Sequence, residues 1–289
     1  SDADKETLDM AKRVLDEIIT DGMSDYEKEL AVYEWMCANI GFDDGSLEVI
    51  PNVGSEVYNP HGVLKYHQAV CVGYATTFRM FMQMMDIECM VVHDSYLGHS
   101  WDIVKLDGQW YHTDVYSDAP GGNFSHFNLN DTEMMNMQEW NTDFFPAAEG
   151  YKYNYAYMNR VGCDDIYTVP GQLRAAIDAQ KGVASFDFGK KVSDDTYSIL
   201  ETIMNQVENA VTSGSDKGVG ITWSWLQAGD DNVFCVYLSY EKETEDPDSN
   251  VDIDAETQQK IDEAVNKAFG NIGSDDVIIG GVSGKTVIS

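Results

Sequence analysis

The sequence predicts an α+β fold in two parts: a larger domain over residues 1–168 and a smaller α+β domain over 169–289. Three observations carry this reading. Apolar positions recur at helical spacing through residues 4–40, and a helix that is apolar nearly all round follows Cys71. Three strand-like segments come next, the last two joined by Asp107-Gly108, a two-residue hairpin signal. A composition shift near Thr168-Val169-Pro170 then opens a second run of strands and helices. The chain has 289 residues, 43% of them hydrophobic, which is enough apolar material to build a core and argues against disorder. That length suits two domains better than one.

The elements follow in order. Leu8, Ala11, Leu15 and Ile18–Ile19 form one stripe of a first helix. Ser24-Asp25-Tyr26-Glu27 is a capping box that starts a second, with Tyr26, Leu30, Tyr33, Cys37 and Ile40 on its inner face and Gly41 as its stop. Residues 43–61, rich in Gly, Pro, Asn and Asp, read as loop. The segment VGYATTFRMFMQMMD after Cys71 is a buried helix whose methionines fill core gaps. Residues 87–95, 98–106 and 109–116 are strands, and 117–168 is an irregular, aromatic-rich covering segment. Beyond it come a helix (170–180), strand (182–188), helix (193–212), two strands (219–227 and 232–240), helix (255–269) and a strand pair within 275–288. Without its leading helix this is βαββαβ, the ferredoxin-like order.

Charge narrows the partners. The chain carries 18 Lys+Arg against 50 Asp+Glu, net −32. The excess is shared between the halves, −20 before residue 169 and −12 after it. No nucleic-acid partner is expected, because tracking phosphates needs clustered basic side chains. No stretch approaches the length of a membrane span. The five cysteines, Cys37, Cys71, Cys89, Cys163 and Cys235, are too few for a disulfide scaffold and include no C-x-x-C pair. The first residue is Ser1, which reads as a mature or trimmed form.

Three residues carry chemistry. Cys71 stands where a loop meets the buried helix, and the free N–H groups of a helix start favour a thiolate. Gly73 allows close backbone approach there. If Asp107-Gly108 is a two-residue turn, paired residue numbers sum to 215. Trp101 then faces Asp114, and His99 and Asp114 become diagonal neighbours on one sheet face. A thiol, an imidazole and a carboxylate in that arrangement have the logic of a Cys-His-Asp triad. His112 lies on the same face opposite Ile103 but lacks an obvious carboxylate partner, so it reads as structural. His61, His67, His93 and His126 read individually as surface or hydrogen-bonded residues.

These segments resemble the bacterial transglutaminase-like domain family, related in architecture to papain-type cysteine peptidases. Cys71-Val72-Gly73-Tyr74-Ala75 matches its nucleophile segment, His99-Ser100-Trp101 its H-x-W strand, and Trp110-Tyr111-His112-Thr113-Asp114 its W-Y-x-x-D strand. The likeness runs over about residues 24–145, while 169–289 has none. It implies a central helix packed on an antiparallel sheet, and acyl transfer through a Cys71 thioester to an amine or to water. It requires an oxyanion hole. The Cys71 N–H is the first donor, Gln68 is a candidate second, and His61 and Trp101 are candidates for the cleft.

No cofactor or metal is expected. An EF-hand register begun at Asp246 would put Val251 where Gly is needed and Thr257 where a bidentate Glu is needed. The acidic run from Glu241 to Glu256 therefore reads as a solvated loop. The sequence also lacks G-x-G-x-x-G, Walker and H-E-x-x-H patterns. The alternatives to an enzyme are a non-catalytic adhesion or peptide- or carbohydrate-binding protein on the same fold, or a structural surface protein; the intact triad favours the enzyme. Secretion or a cell-surface location is expected, with a peptide or protein substrate. Basic or amine-bearing substrates would be drawn to so acidic a chain.

Overall fold

The computed structural model describes residues 1–42, 54–96, 98–119, 122–190, 192–213 and 218–240. The loop expected before residue 54, the acidic run and the last predicted helix and strand pair lie wholly or mostly outside these residues.

Helix α1 (Asp2–Ile18) starts on a capping box at Ser1, and α2 (Asp25–Asn39) on the one read at Ser24, where Glu27 N–H donates to Ser24 Oγ. Gly41 follows α2 as predicted but acts as the first residue of a short strand. That strand, β1 (Gly41–Phe42), pairs in parallel with β2 (Gln68–Ala69). Between them lies a helix the sequence reading missed, α3 (Pro60–Tyr66). Its signals were local: Asn59 caps it through the Gly62 N–H, and Pro60 fills the first turn.

Helix α4 (Cys71–Met84) buries Tyr74, Phe78, Phe81 and Met82. It packs on β3 (Cys89–His93) and β4 (Ser100–Leu106), and α2 and α3 also lie against it. With β5 (Gln109–Thr113) these strands form an antiparallel sheet in the order β3-β4-β5. The register is the one the turn demands: Leu106 faces Gln109, and Ile103 faces His112. Asp107 and Gly108 both have positive φ, +50° and +80°, as a primed turn requires. Val32, Tyr33 and Met36 from α2, the α4 side chains, and Val104 and Tyr111 from the sheet make one continuous core.

Past the sheet come α5 (Val115–Asp118), α6 (Asp131–Met134) and α7 (Tyr155–Met158). The chain then enters β6 (Val161–Gly162), α8 (Val169–Asp178), β7 (Val183–Asp187), α9 (Asp194–Ser213), β8 (Val219–Ala228) and β9 (Asp231–Tyr240). The second sheet has the order β6-β7-β9-β8. β9 runs antiparallel to both neighbours, so β7-α9-β8 is a split βαβ unit with β9 inserted. The last helix and strand of the expected βαββαβ order lie outside the described residues. β7's other edge takes β6 in parallel.

One face of this sheet buries Leu173, Leu200, Met204, Phe234 and Val236. The other face meets Ala156 and the rings of Tyr151, Tyr155 and Tyr157. Contacts therefore cross residue 168, where the sequence places the domain boundary. Ser185 Oγ–H donates to the Ala156 carbonyl, and β6 joins the second sheet. Ser1–Glu241 clusters as one compact unit.

Candidate active site

Cys71 is the first residue of α4. Val70 before it makes no side-chain cap hydrogen bond, and the first amides of any helix lack intrahelical partners and favour negative charge beside them. The approach to the helix is tight. Val70 N–H donates to the Val57 carbonyl at 3.3 Å, and a Cβ on Gly73 would stand 2.1 Å from that same oxygen. The Tyr74 hydroxyl donates to the Ile40 carbonyl at 2.6 Å, pinning the helix start to the end of α2.

The hairpin delivers the other two residues. His99 lies just before β4 and Asp114 just after β5, where Asp114 also caps α5 by accepting the Ser117 N–H. The ladder ends at Asp102–Thr113; Asp114 follows Thr113 directly and His99 lies three residues before Asp102, and the two side chains meet past the end of the ladder. His99 Nε2 lies 2.6 Å from Asp114 Oδ2, with the pair 14% and 2% exposed. Burial pulls the imidazole pKa down, but hydrogen bonds to Asp114 and Cys71 outweigh it and lift His99 to about 10. Because Nε2 is committed to Asp114, Nδ1 is the nitrogen left to face the sulfur.

Asp114 stands apart from its buried neighbours. Burial would raise its carboxyl, yet the hydrogen bond and charge of His99 bring it below the usual value. Burial raises Asp102 well above it instead. Glu29 is pushed up to about 8 by burial, against hydrogen bonds from Asn128 and Thr113. Asn128 Nδ2 donates to Glu29 Oε2, and the Thr113 hydroxyl lies 3.0 Å from Asn128 Oδ1 and 3.1 Å from Glu29 Oε1. A protonated Glu29 closes that ring of donors.

A second layer holds Asp114 from behind. Its N–H donates to the His126 carbonyl, and the Tyr33 hydroxyl lies 3.2 Å from its carbonyl oxygen. Tyr33 also reaches Asp118 Oδ2 at 2.5 Å, and His126 Nδ1 lies 2.9 Å from Asp118 Oδ1. Burial pulls His126 down, but Asp118 holds it above its ordinary value. None of this was read from the sequence. The one available sign was the Asp114-x-x-Ser117 spacing of an N-cap.

The remaining candidates fall elsewhere. The two His61 ring nitrogens each lie 3.0 Å from a carboxylate, Glu6 on α1 and Glu56, so this side chain ties α3 to α1. Gln68 is half-buried in β2, three residues before the nucleophile. Trp101 is 1% exposed and stacks behind His99, ring centroids 5.9 Å apart and 22° from parallel. Its indole N–H donates to His112 Nδ1 at 2.9 Å. His112 does have a carboxylate partner, supplied from outside the hairpin. Its Nε2 lies 2.8 Å from Asp131, whose other oxygen accepts the Ala148 N–H. His112 therefore braces the ring that backs His99. His112→Leu should strand the indole N–H and cost about 1–3 kcal/mol in a thermal melt, whereas His112→Gln, with both an acceptor and a donor, should recover most of it. Among the described residues no group of three His, Cys, Asp or Glu side chains is placed to share a metal ion, and no helix is long and apolar enough to cross a membrane.

Comparison with known proteins finds matches to part of this chain. The transglutaminase-like superfamily matches residues 12–115, a span that includes Cys71, His99 and Asp114. The kyphoscoliosis peptidase of Mus musculus is 24% identical over 115 residues, covering 35% of this chain and 17% of the mouse protein. A solved structure described as a TGase aligns over 56% of this chain and 40% of its own, with 14% identity and a TM-score of 0.33. The matches thus span well under half the length of either relative. The chain carries a transglutaminase-like domain over residues 12–115.

Proposed function

We propose that this domain is a cysteine-nucleophile acyltransferase or hydrolase that acts on peptide or protein amides through a thioester. The observation that carries the reading is the buried 2.6 Å His99–Asp114 pair, whose imidazole Asp114 and Cys71 together hold above its ordinary pKa. The sulfur attacks the amide carbonyl carbon, and the charge that develops on oxygen meets the open amides at the start of α4. Gln68 remains the candidate for a further donor. His99, protonated at neutral pH, passes its proton to the departing amine as the C–N bond breaks, which leaves the thioester. Water or a second amine then attacks, His99 takes its proton, and the sulfur leaves. Asp114 keeps the ring oriented and balances the imidazolium. Net acidity favours basic or amine-bearing substrates, an attraction that fades as salt rises.

Two measurements test this. Peptide and glutamine-donor libraries, read by mass spectrometry, should give hydrolysed or amine-joined products with the wild type and none with Cys71→Ala. Iodoacetamide mapping should find Cys71 labelled faster than Cys89, Cys163 and Cys235, whose thiols burial pushes up. Labelling of Cys71 no faster than Cys37 or Cys235 near neutral pH would overturn the reading.

A further inference from the structure

Two hollows adjoin at the turn end of the β8–β9 hairpin. One, of about 450 Å³, lies between α6 and the second sheet, with Glu133 and Asn136 on one wall and Tyr197, Trp225 and Gln227 on the other. The next, of about 590 Å³, shares Gln227, Gly229 and Asn232 with it and continues past Ser193 and Thr196 to Lys190. Together they form one trough, separate from the triad.

The walls define what can sit there. Their polar groups are chiefly amides and hydroxyls, which offer donors and acceptors side by side. No basic side chain lines the first hollow. Lys190 in the second is already paired with Asp230 at 2.7 Å. An anionic ligand would find no free countercharge, and a purely apolar one would cover the amides without replacing their hydrogen bonds.

The trough also has a fixed aromatic wall. Trp225 is packed from behind by Phe234 and Phe188, at 5.1 and 5.8 Å between centroids, and Tyr197 meets it edge-on at 4.7 Å. Tyr197 remains 41% exposed. Glu133 is held rigidly beside it, one oxygen accepting the Asn130 N–H and the other the Asn154 side-chain amide, both neutral donors. Burial lifts its carboxyl to about 7, so it can both donate and accept near neutral pH. An aromatic wall, side-chain amides and a carboxyl group together suit a ligand with apolar C–H faces and a rim of hydroxyls. The volume falls in the usual range for ligand clefts.

We propose that this trough is a binding site for a short neutral saccharide, with the second sheet serving recognition rather than catalysis. The site stands whether or not Cys71 is a nucleophile.

The test is titration of the full chain with cellotetraose, chitotetraose and maltotetraose, followed by calorimetry and tryptophan fluorescence. At least one should bind saturably in the millimolar range or tighter, and Cys71→Ala should bind it equally well. The double variant Asn136→Ala with Gln227→Ala changes two exposed positions and should keep its melting temperature while losing about tenfold or more in affinity. Saturable binding of none of the three would overturn the proposal. So would binding that the double variant leaves unchanged, or tighter binding of a lysine-rich peptide, which would give the trough to basic peptides instead.

Discussion

Asp114→Asn is expected to lower turnover by about four orders of magnitude while the chain stays folded. Asparagine is chosen because it still caps a helix, so the Ser117 contact that starts α5 survives. What it destroys is the direction of a proton. The carboxylate accepts from His99 Nε2, whereas an amide can turn its NH2 toward that nitrogen and make it the acceptor. Nδ1 would then carry hydrogen toward the sulfur and could no longer receive its proton. Iodoacetamide kinetics at Cys71 read this without any substrate, and peptide turnover reads it again. Unfolding of the variant would instead make Asp114 a structural residue.

The same pair sets a pH signature. His99 rises from an unfolded value near 6.5 to about 10, so its contribution to stability is complete below about 6.5 and disappears as pH climbs through 10. Asp114 is lowered, so its contribution is present above about 4 and is lost as pH falls through its folded value. Both act fully between those limits. In Asp114→Asn the alkaline decline in stability should flatten, because His99 returns toward its ordinary value.

Gly73→Ala is expected to damage stability and reactivity together. The added methyl would stand 2.1 Å from the Val57 carbonyl oxygen and 3.1 Å from Ala69 Cβ. The first is a backbone atom already engaged by the Val70 N–H, so it has little freedom to retreat. The first turn of α4 must move instead, and Cys71 with it. A loss of about 1–3 kcal/mol in thermal or denaturant unfolding is expected, with slower alkylation of Cys71 at temperatures where the variant is still folded. Gly171→Ala, where nothing stands within 4 Å, is the control and should be neutral or slightly stabilising. Equal behaviour of the two variants would remove steric necessity as the reason for glycine at 73.

Local rules made much of this legible in the sequence. The Ser24 capping box, the Asp107-Gly108 turn and the helix after Cys71 depend on neighbours a few residues away. The turn fixed the pairing sum, and the pairing sum put His99 beside Asp114. What stayed hidden comes from packing between distant segments. Tyr33 reaches Asp118 across 85 residues, and Glu29 reaches Asn128 across 99. His112 seemed to lack a partner because its carboxylate comes from the start of α6, 19 residues on, rather than from the hairpin. His61 looked like a cleft residue because nothing in its own segment reveals that α1 will lie across it. The contacts over residue 168 were invisible for another reason: β6 is two residues long, too short to carry a period.

The hairpin has one more consequence, for the order in which the site is assembled. His99 and Asp114 are only 15 residues apart and are joined by closing one tight turn. That closure carries a small loop entropy and belongs to the fast, local part of folding. Cys71 reaches them only when α4 docks on the sheet, a non-local event. A chain emerging from its N-terminus would expose the thiol before either partner exists, then form the acid–base pair, and unite the two last. Enhanced reactivity of Cys71 therefore reports completed tertiary structure, and a partly folded chain carries a sulfur with no base beside it.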